Sequence, residues 1–357
     1  MELRTHSTII DYLVEYNRKQ SELFCEPSEV LWRKQYRKRR GMHRTRFSTC
    51  ECMDGRVHME RSVGVPSGIF NSYRTVGGKF EIGEPYFKSR IMKDVQEAIK
   101  KGANRIFFVT YHFSRSNPEE WGCAGFKCNI EAAIAYTKRL KNSIETAFGP
   151  SHSVVYPIQV GIETDEDALV FHGENGSTLD LGEETDLGSA EIILLIKEMF
   201  LDASKSIANT LLEITQGNQY HVHEVRASGR SASALNHKER VFGFGEGFDW
   251  HHKPNDAIFV GPYNIDLREP IIVGANLLLK NLKGKRIDPD EGIVLMTSAT
   301  YANESDPGKS MAIFESRHLM CYALEIIKKE VGELIKHLAI LPVILNTETR
   351  LFTRITP

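Results

Sequence analysis

The feature that most constrains this chain is that it repeats itself once. The segment VPSGIF around Pro66 returns as KPNDAIF around Pro254, 188 residues later. The apolar run Ile106–Thr110 (IFFVT) returns as Val294–Ser298 (VLMTS) at the same offset. Tyr156–Asp165 (YPIQVGIETD) is echoed by Leu341–Arg350 (LPVILNTETR), 185 residues later. Three matches in order at a near-constant offset describe a duplicated domain, because a solenoid repeats at a much shorter period. A length of 357 residues suits two such domains.

Within the first copy, short apolar runs alternate with helical periodicity. Strands are expected at Arg46–Cys52, Gly68–Tyr73, Arg105–Tyr111 and Val154–Gly161, with Ala168–His172 closing a hairpin. Helices are expected at Phe87–Lys101, ended by Gly102, and at Asn129–Phe148. Arg105–Tyr111 is continuously apolar in its centre, as a fully buried parallel strand is. Strands alternating with helices give an α/β fold with a largely parallel sheet. Ahead of it, residues 5–24 and the segment after Pro27 read as helices. Between the copies come a long helix over Ser189–Thr215 and a Ser/Ala/Gly-rich loop over residues 227–236. The expected organisation is therefore a helical arm (1–44), a first domain (45–172), a helical and loop connection (173–239) and a second domain (240–357).

The net charge of −2 excludes a globally basic nucleic-acid coat and a strongly acidic tail protein. A basic run does occur (Arg33, Lys34, Arg37, Lys38, Arg39, Arg40, Arg44, Arg46). It reads as a solvated helix face, and nucleic acid as a partner is disfavoured because the rest of the chain offsets the charge. No apolar run is long enough to span a membrane and the first ten residues hold no signal core, so the expected location is cytoplasmic.

Six cysteines in such a chain are expected to be reduced, buried, catalytic or metal-bound. Cys52 ends the first strand and His112 ends the buried one. In open α/β sheets ligands gather at the carboxyl ends of strands. Cys123, eleven residues after His112, could return to them by a loop. Two thiolates and an imidazole form a three-ligand zinc site with one position open. Cys50, one step deeper on the face of Cys52, and Cys128, near Cys123, are rival ligands. His221 and His223 form a weaker metal candidate on an expected strand face, and His251 and His252 are expected to face solvent.

These motifs resemble those of the β-class carbonic anhydrases. That family's C-x-D-x-R signature stands here as Cys52-Met53-Asp54-Gly55-Arg56, and its following apolar strand and R-N-A-G turn resemble Ile69–Gly78 (IFNSYRTVGG). Most members place the second cysteine three residues after the histidine. The gap of eleven here resembles the carboxysome shell carbonic anhydrases, a branch whose duplicated second domain has lost its zinc. Thr300 falls where His112 sits in the first copy, and Phe242–Trp250 (FGFGEGFDW) has no cysteine where the signature would be.

The resemblance implies two tandem β-carbonic-anhydrase-like domains behind the helical arm, with a fused pair imitating the family's dimer. It implies Zn2+ on Cys52, His112 and Cys123, with Asp54 and Arg56 catalytic. The activity implied is the reversible hydration of carbon dioxide to bicarbonate by hydroxide on the zinc. Asp54 would orient that hydroxide, and Arg56 would hold Asp54 ionised. Hydrolysis of carbon disulfide or carbonyl sulfide on the same fold is the enzyme alternative, and a zinc-containing interaction protein the non-enzymatic one. Val65, Phe70 and Tyr73 are candidate pocket walls, with core packing the favoured reading of each. The glutamine that a partner subunit contributes in the dimeric family would correspond to a position near Lys253. A homo-oligomer and association with a carboxysome also follow from the resemblance.

Overall fold

The computed structural model describes residues 2–39, 45–148, 154–302 and 307–356. Arg40 and Arg44 of the basic run lie outside them. By its contacts the chain divides into two compact units. One comprises Leu31–Cys52 and Arg56–Leu235; the other comprises Met1–Val30, Met53–Gly55 and Asn236–Pro357. Two helices open the chain, α1 (Glu2–Cys25) and α2 (Pro27–Arg39).

Among the described residues of the larger unit, six strands form one sheet. They are β1 (Thr45–Cys52), β2 (Phe70–Thr75), β3 (Asn104–Phe113), β4 (Val155–Glu163), β5 (Ala168–His172) and β6 (Thr178–Asp180). Their order is β2-β1-β3-β4-β5-β6; the first four run parallel and the last two antiparallel. The helices are α3 (Met59–Ser62), α4 (Pro85–Lys100), α5 (Pro118–Trp121), α6 (Ile130–Phe148), α7 (Ser189–Met199) and α8 (Lys205–Ser228). Every residue of Ile106–Val109 is fully buried, as the apolar run requires. On one face Phe47 stacks on Phe70, Phe108 packs tilted against both, and the three join Ile192 and Ile196 of α7 and Leu211 and Ile214 of α8. Helix α4 packs against β3, and α6 against β3 and β4.

The smaller unit holds β7 (Val241–Gly245), β8 (Ala257–Val260), α9 (Arg268–Lys283), β9 (Ile293–Tyr301), α10 (Pro307–Glu330), β10 (Leu338–Asn346) and β11 (Phe352–Arg354). Its strands order as β8-β7-β9-β10-β11, parallel except for β11. That is the order and polarity of β2-β1-β3-β4-β5. Ile106 pairs with Tyr156 and Val294 with Ala339, so the ladder sets the fourth strand's offset at 183, two residues from the 185 read in the sequence. A two-residue slip keeps every side chain on the same face. Helix α1 belongs to this unit: Ile9 and Leu13 are buried with Val294, Leu341 and Phe352. The Asn17 side chain donates to the Arg350 carbonyl (2.9 Å) and accepts from the Phe352 amide (2.9 Å).

Three expectations need correction. The helix read as Ser189–Thr215 is two helices, broken between Met199 and Lys205. The Ser204 hydroxyl caps the second by accepting from the Ile207 amide (3.3 Å). His221 and His223 lie in α8 rather than on a strand, and residues two apart on a helix do not share a face. His251 is buried, 3.0 Å from Asp256, with its ring edge-on to Tyr16 and Phe259.

Candidate metal centre

Strand β1 ends at Cys52, and β3, its parallel neighbour, carries His112 near its own carboxyl end. Two features fix the end of β1. Glu51 is fully buried, and its carboxylate meets Arg74 Nη2 at 2.8 Å. Arg74 also donates to the carbonyls of Cys52 (3.3 Å) and Val57. Burial raises the Glu51 pKa, and the Arg74 charge opposes that rise. The second feature is the turn Val76–Gly78, with Gly77 and Gly78 both at positive φ. A Cβ on Gly78 would touch backbone of Glu51, Cys52 and Thr110 at 3.3–3.4 Å. Glycine here lets the turn lie directly on the ends of β1 and β3.

The chain that leaves β3 returns through α5 to Cys123. The next turn, Ala124–Phe126, rests on the Gly77-Gly78 turn: a Cβ on Gly125 would stand 2.6 Å from the Gly77 Cα. The Cys123 carbonyl accepts from the amides of Phe126 (3.0 Å) and Cys128 (2.9 Å). Lys127 and Cys128 adopt left-handed φ values of 52° and 59° to close the turn. Cys123 is thereby delivered to Cys52, Sγ to Sγ 3.8 Å.

The ligand atoms of Cys52, His112 and Cys123 all lie within 4.8 Å of one another, and all three side chains are buried. Two sulfurs at about 2.3 Å from a tetrahedral zinc stand about 3.8 Å apart, which is the separation seen. Two thiols and an imidazole also suit Zn2+ in donor type. The residues present fit the ion. Cys50 is fully buried, its thiol pushed up by desolvation, and it lies outside this group. Cys128 is half-buried and likewise outside it. Phe70 and Tyr73 are core residues: Phe70 stacks on Phe47, and the Tyr73 hydroxyl donates to Asp94 (2.7 Å). Arg56 is buried in the same unit as Cys52, His112 and Cys123.

Asp54 has other neighbours. Its carboxylate lies within 4.8 Å of ligand atoms of both His237 and Glu239. His237 Nδ1 is 2.9 Å from Glu239 Oε1, and Asn281 Nδ2 donates to Glu239 Oε2 (3.3 Å). The Gly55 carbonyl accepts from the Asn255 amide (2.8 Å), and a Cβ on Gly55 would stand 2.6 Å from the Ala257 carbonyl oxygen. The glycine between Asp54 and Arg56 is thus demanded by this close approach. Lys253 is not in the Asp54 group; its ammonium meets Asp256 (3.5 Å) and the Tyr12 hydroxyl (3.3 Å). Sequence reasoning did not single out His237 or Glu239. The only signal was a polar His-Lys-Glu-Arg run directly before an apolar strand.

A family model for the carboxysome shell carbonic anhydrase catalytic domain matches residues 33–223, just over half of the chain. The chain belongs to this family. It is 27% identical to the carboxysome shell carbonic anhydrase of Prochlorococcus marinus (strain MIT 9313), over 73% of this chain and 56% of the relative. It is 24% identical to the carboxysome shell carbonic anhydrase of Halothiobacillus neapolitanus (strain ATCC 23641 / c2), over 58% of this chain and 48% of the relative. The chain spans about half the length of these relatives. The family match takes in Cys52, Asp54, Arg56, His112 and Cys123, whereas His237 and Glu239 lie beyond it. Among the described residues no helix is long and apolar enough to cross a membrane.

Proposed function

We propose that this chain is a zinc-dependent carbonic anhydrase that interconverts carbon dioxide and bicarbonate. The observation that carries the reading is the convergence of Cys52, His112 and Cys123, sulfurs 3.8 Å apart, in a member of this family. Zn2+ held by these three residues would lower the pKa of a water in its open position, making a nucleophile available near neutral pH. Cys52 and Cys123 would hold the ion as thiolates and so offset its charge. Asp54, two residues past Cys52, is assigned to orient the attacking water, and Arg56 to keep Asp54 ionised. Buried surroundings suit a small, uncharged substrate that needs no charged recognition group.

The division into a ligand-bearing domain (45–172) and a second copy without zinc (240–357) belongs to the same proposal. It is supported by the shared strand order and by the ladder. Counting from Phe47 paired with Ile106 and from Val241 paired with Val294, Glu246 stands at the place of Cys52 and Thr300 at that of His112. The names of the two relatives support a place in or on a carboxysome, and a homo-oligomer of such chains is part of this reading.

The test is stopped-flow hydration of carbon dioxide by metal-quantified protein, with Cys52→Ala alongside. About one zinc per chain and measurable hydration are expected, both lost in Cys52→Ala. Zinc near one per chain with no hydration would overturn the catalytic assignment.

A further inference from the structure

The long excursion between His112 and Cys123 poses a physical problem. Ten intervening residues must leave β3 and return one thiol to within bonding range of a metal. A free loop of that length costs ordering entropy whenever its end is fixed. The far end is held by the Gly77–Gly125 approach described above. The near end is held from β4's carboxyl end, by a residue distant in sequence.

Asp165 lies just past β4. Its carboxylate accepts from the Ser114 hydroxyl (2.7 Å), the Arg115 amide (3.1 Å) and the Ser116 amide (2.7 Å). One side chain therefore gathers the three residues that follow the end of β3. The order propagates along the loop. Ser114 Oγ accepts from the Asn117 amide (3.1 Å), and Asn117 Oδ1 caps α5 by accepting from the Glu120 amide (3.2 Å). Helix α5 then ends at Trp121, two residues before Cys123. Burial opposes ionisation of Asp165, but the hydrogen bonds from Ser114 and Ser116 win and its pKa is lowered. The ionised form, an acceptor on both oxygens, is the one that can take all three donors.

We propose that Asp165 is a positioning residue for the metal centre: by collecting Ser114, Arg115 and Ser116 it sets the path that returns Cys123 to Cys52 and His112. The role rests on the zinc reading above. It is not an inheritance of the short three-residue spacing, which has no such loop to hold. Asp165 acts through Cys123 and touches no substrate.

The experiment compares the unaltered chain with Asp165→Ala, Asp165→Asn and, as a control, Asp186→Asn at an exposed carboxylate. Zinc release to a chelator is timed, and the thiolate-to-cobalt charge-transfer absorption of the Co2+ form is recorded. Orienting partners of metal ligands are typically worth about 10–100-fold in metal affinity. Asp165→Ala should accordingly release zinc about 10–100-fold faster and lose part of the charge-transfer intensity. Asp165→Asn, which keeps one acceptor oxygen and its fold, should fall between, and Asp186→Asn should match the unaltered chain. Unchanged release and absorption in both Asp165 variants would overturn the role alone. Absence of the absorption in the unaltered chain would overturn the metal reading and the role with it.

Discussion

At the scale of single residues, the centre depends on places where a side chain is missing. Gly125 meets Gly77 so closely that any Cβ must displace one backbone or the other. Gly125→Ala should therefore destabilise the protein by about 1–3 kcal/mol, the range for overpacking a filled site, and should speed zinc release. Gly83→Ala, where a Cβ meets nothing within 4 Å, should stay within about 0.5 kcal/mol of the unaltered chain. Urea denaturation and chelator competition on the two variants check both statements. Equal behaviour of the two would remove the argument from close approach. Residue type at strand ends, joined to the C-x-D-x-R resemblance, pointed to Cys52, His112 and Cys123, and these are side chains that the structure brings together. Cys50 was separable from Cys52 only by the Asp54 and Arg56 that follow. His237 and Glu239 were not legible, because no local pattern records that residues 53–55 pack with a segment nearly 200 positions away.

At the scale of elements, strands were read better than helix ends. A continuous apolar run such as Ile106–Val109 has one physical outcome, whereas the apolar spacing from Ile192 to Ile214 continues across a break. The interruption is marked only by Asp202 and the cap residue Ser204, and Asp202 is held by the Tyr156 hydroxyl (2.6 Å). The β4–β5 hairpin carries a pH dependence that only the fold reveals. Burial, reinforced by the Asp165 charge, raises the Glu163 pKa to about 7. A carboxyl raised from 4.5 to about 7 favours the folded state fully below pH 4.5, and that contribution is lost as pH rises through 7. At its upper limit the loss is about 3 kcal/mol. Asp167 works in the opposite sense. Burial opposes its ionisation, yet hydrogen bonds from His221 and Arg230 hold its pKa at about 2, so its contribution is present above 3.8 and fades as pH falls toward 2. Urea midpoints at pH 5 and pH 8 should fall with pH in the unaltered chain and fall less in Glu163→Gln. Parallel midpoints in the two chains would show that Glu163 does not titrate in this window.

At the scale of the whole molecule, three matched segments pointed to a duplication, and the two sheets bear the same strand order. What the repeat did not disclose is that the chain's contacts do not follow its halves: α1 and residues 53–55 belong with the second half. The same order of strands carries different chemistry in the two units. The ends of β1 and β3 present a thiol and an imidazole, whereas the matching ladder places hold Glu246 and Thr300. A bound ion stabilises only the conformations that hold it, by RT ln(1 + [L]/Kd). Its removal should therefore be felt where its ligands are anchored. Hydrogen exchange measured before and after chelation should accelerate in peptides covering residues 47–52, 108–113 and 122–128. Peptides covering β9 and β10 should exchange as before. Equal acceleration in β9 and β10 would mean that the metal stabilises the chain by a route other than these three residues. No change at 122–128 would mean that Cys123 is not a ligand.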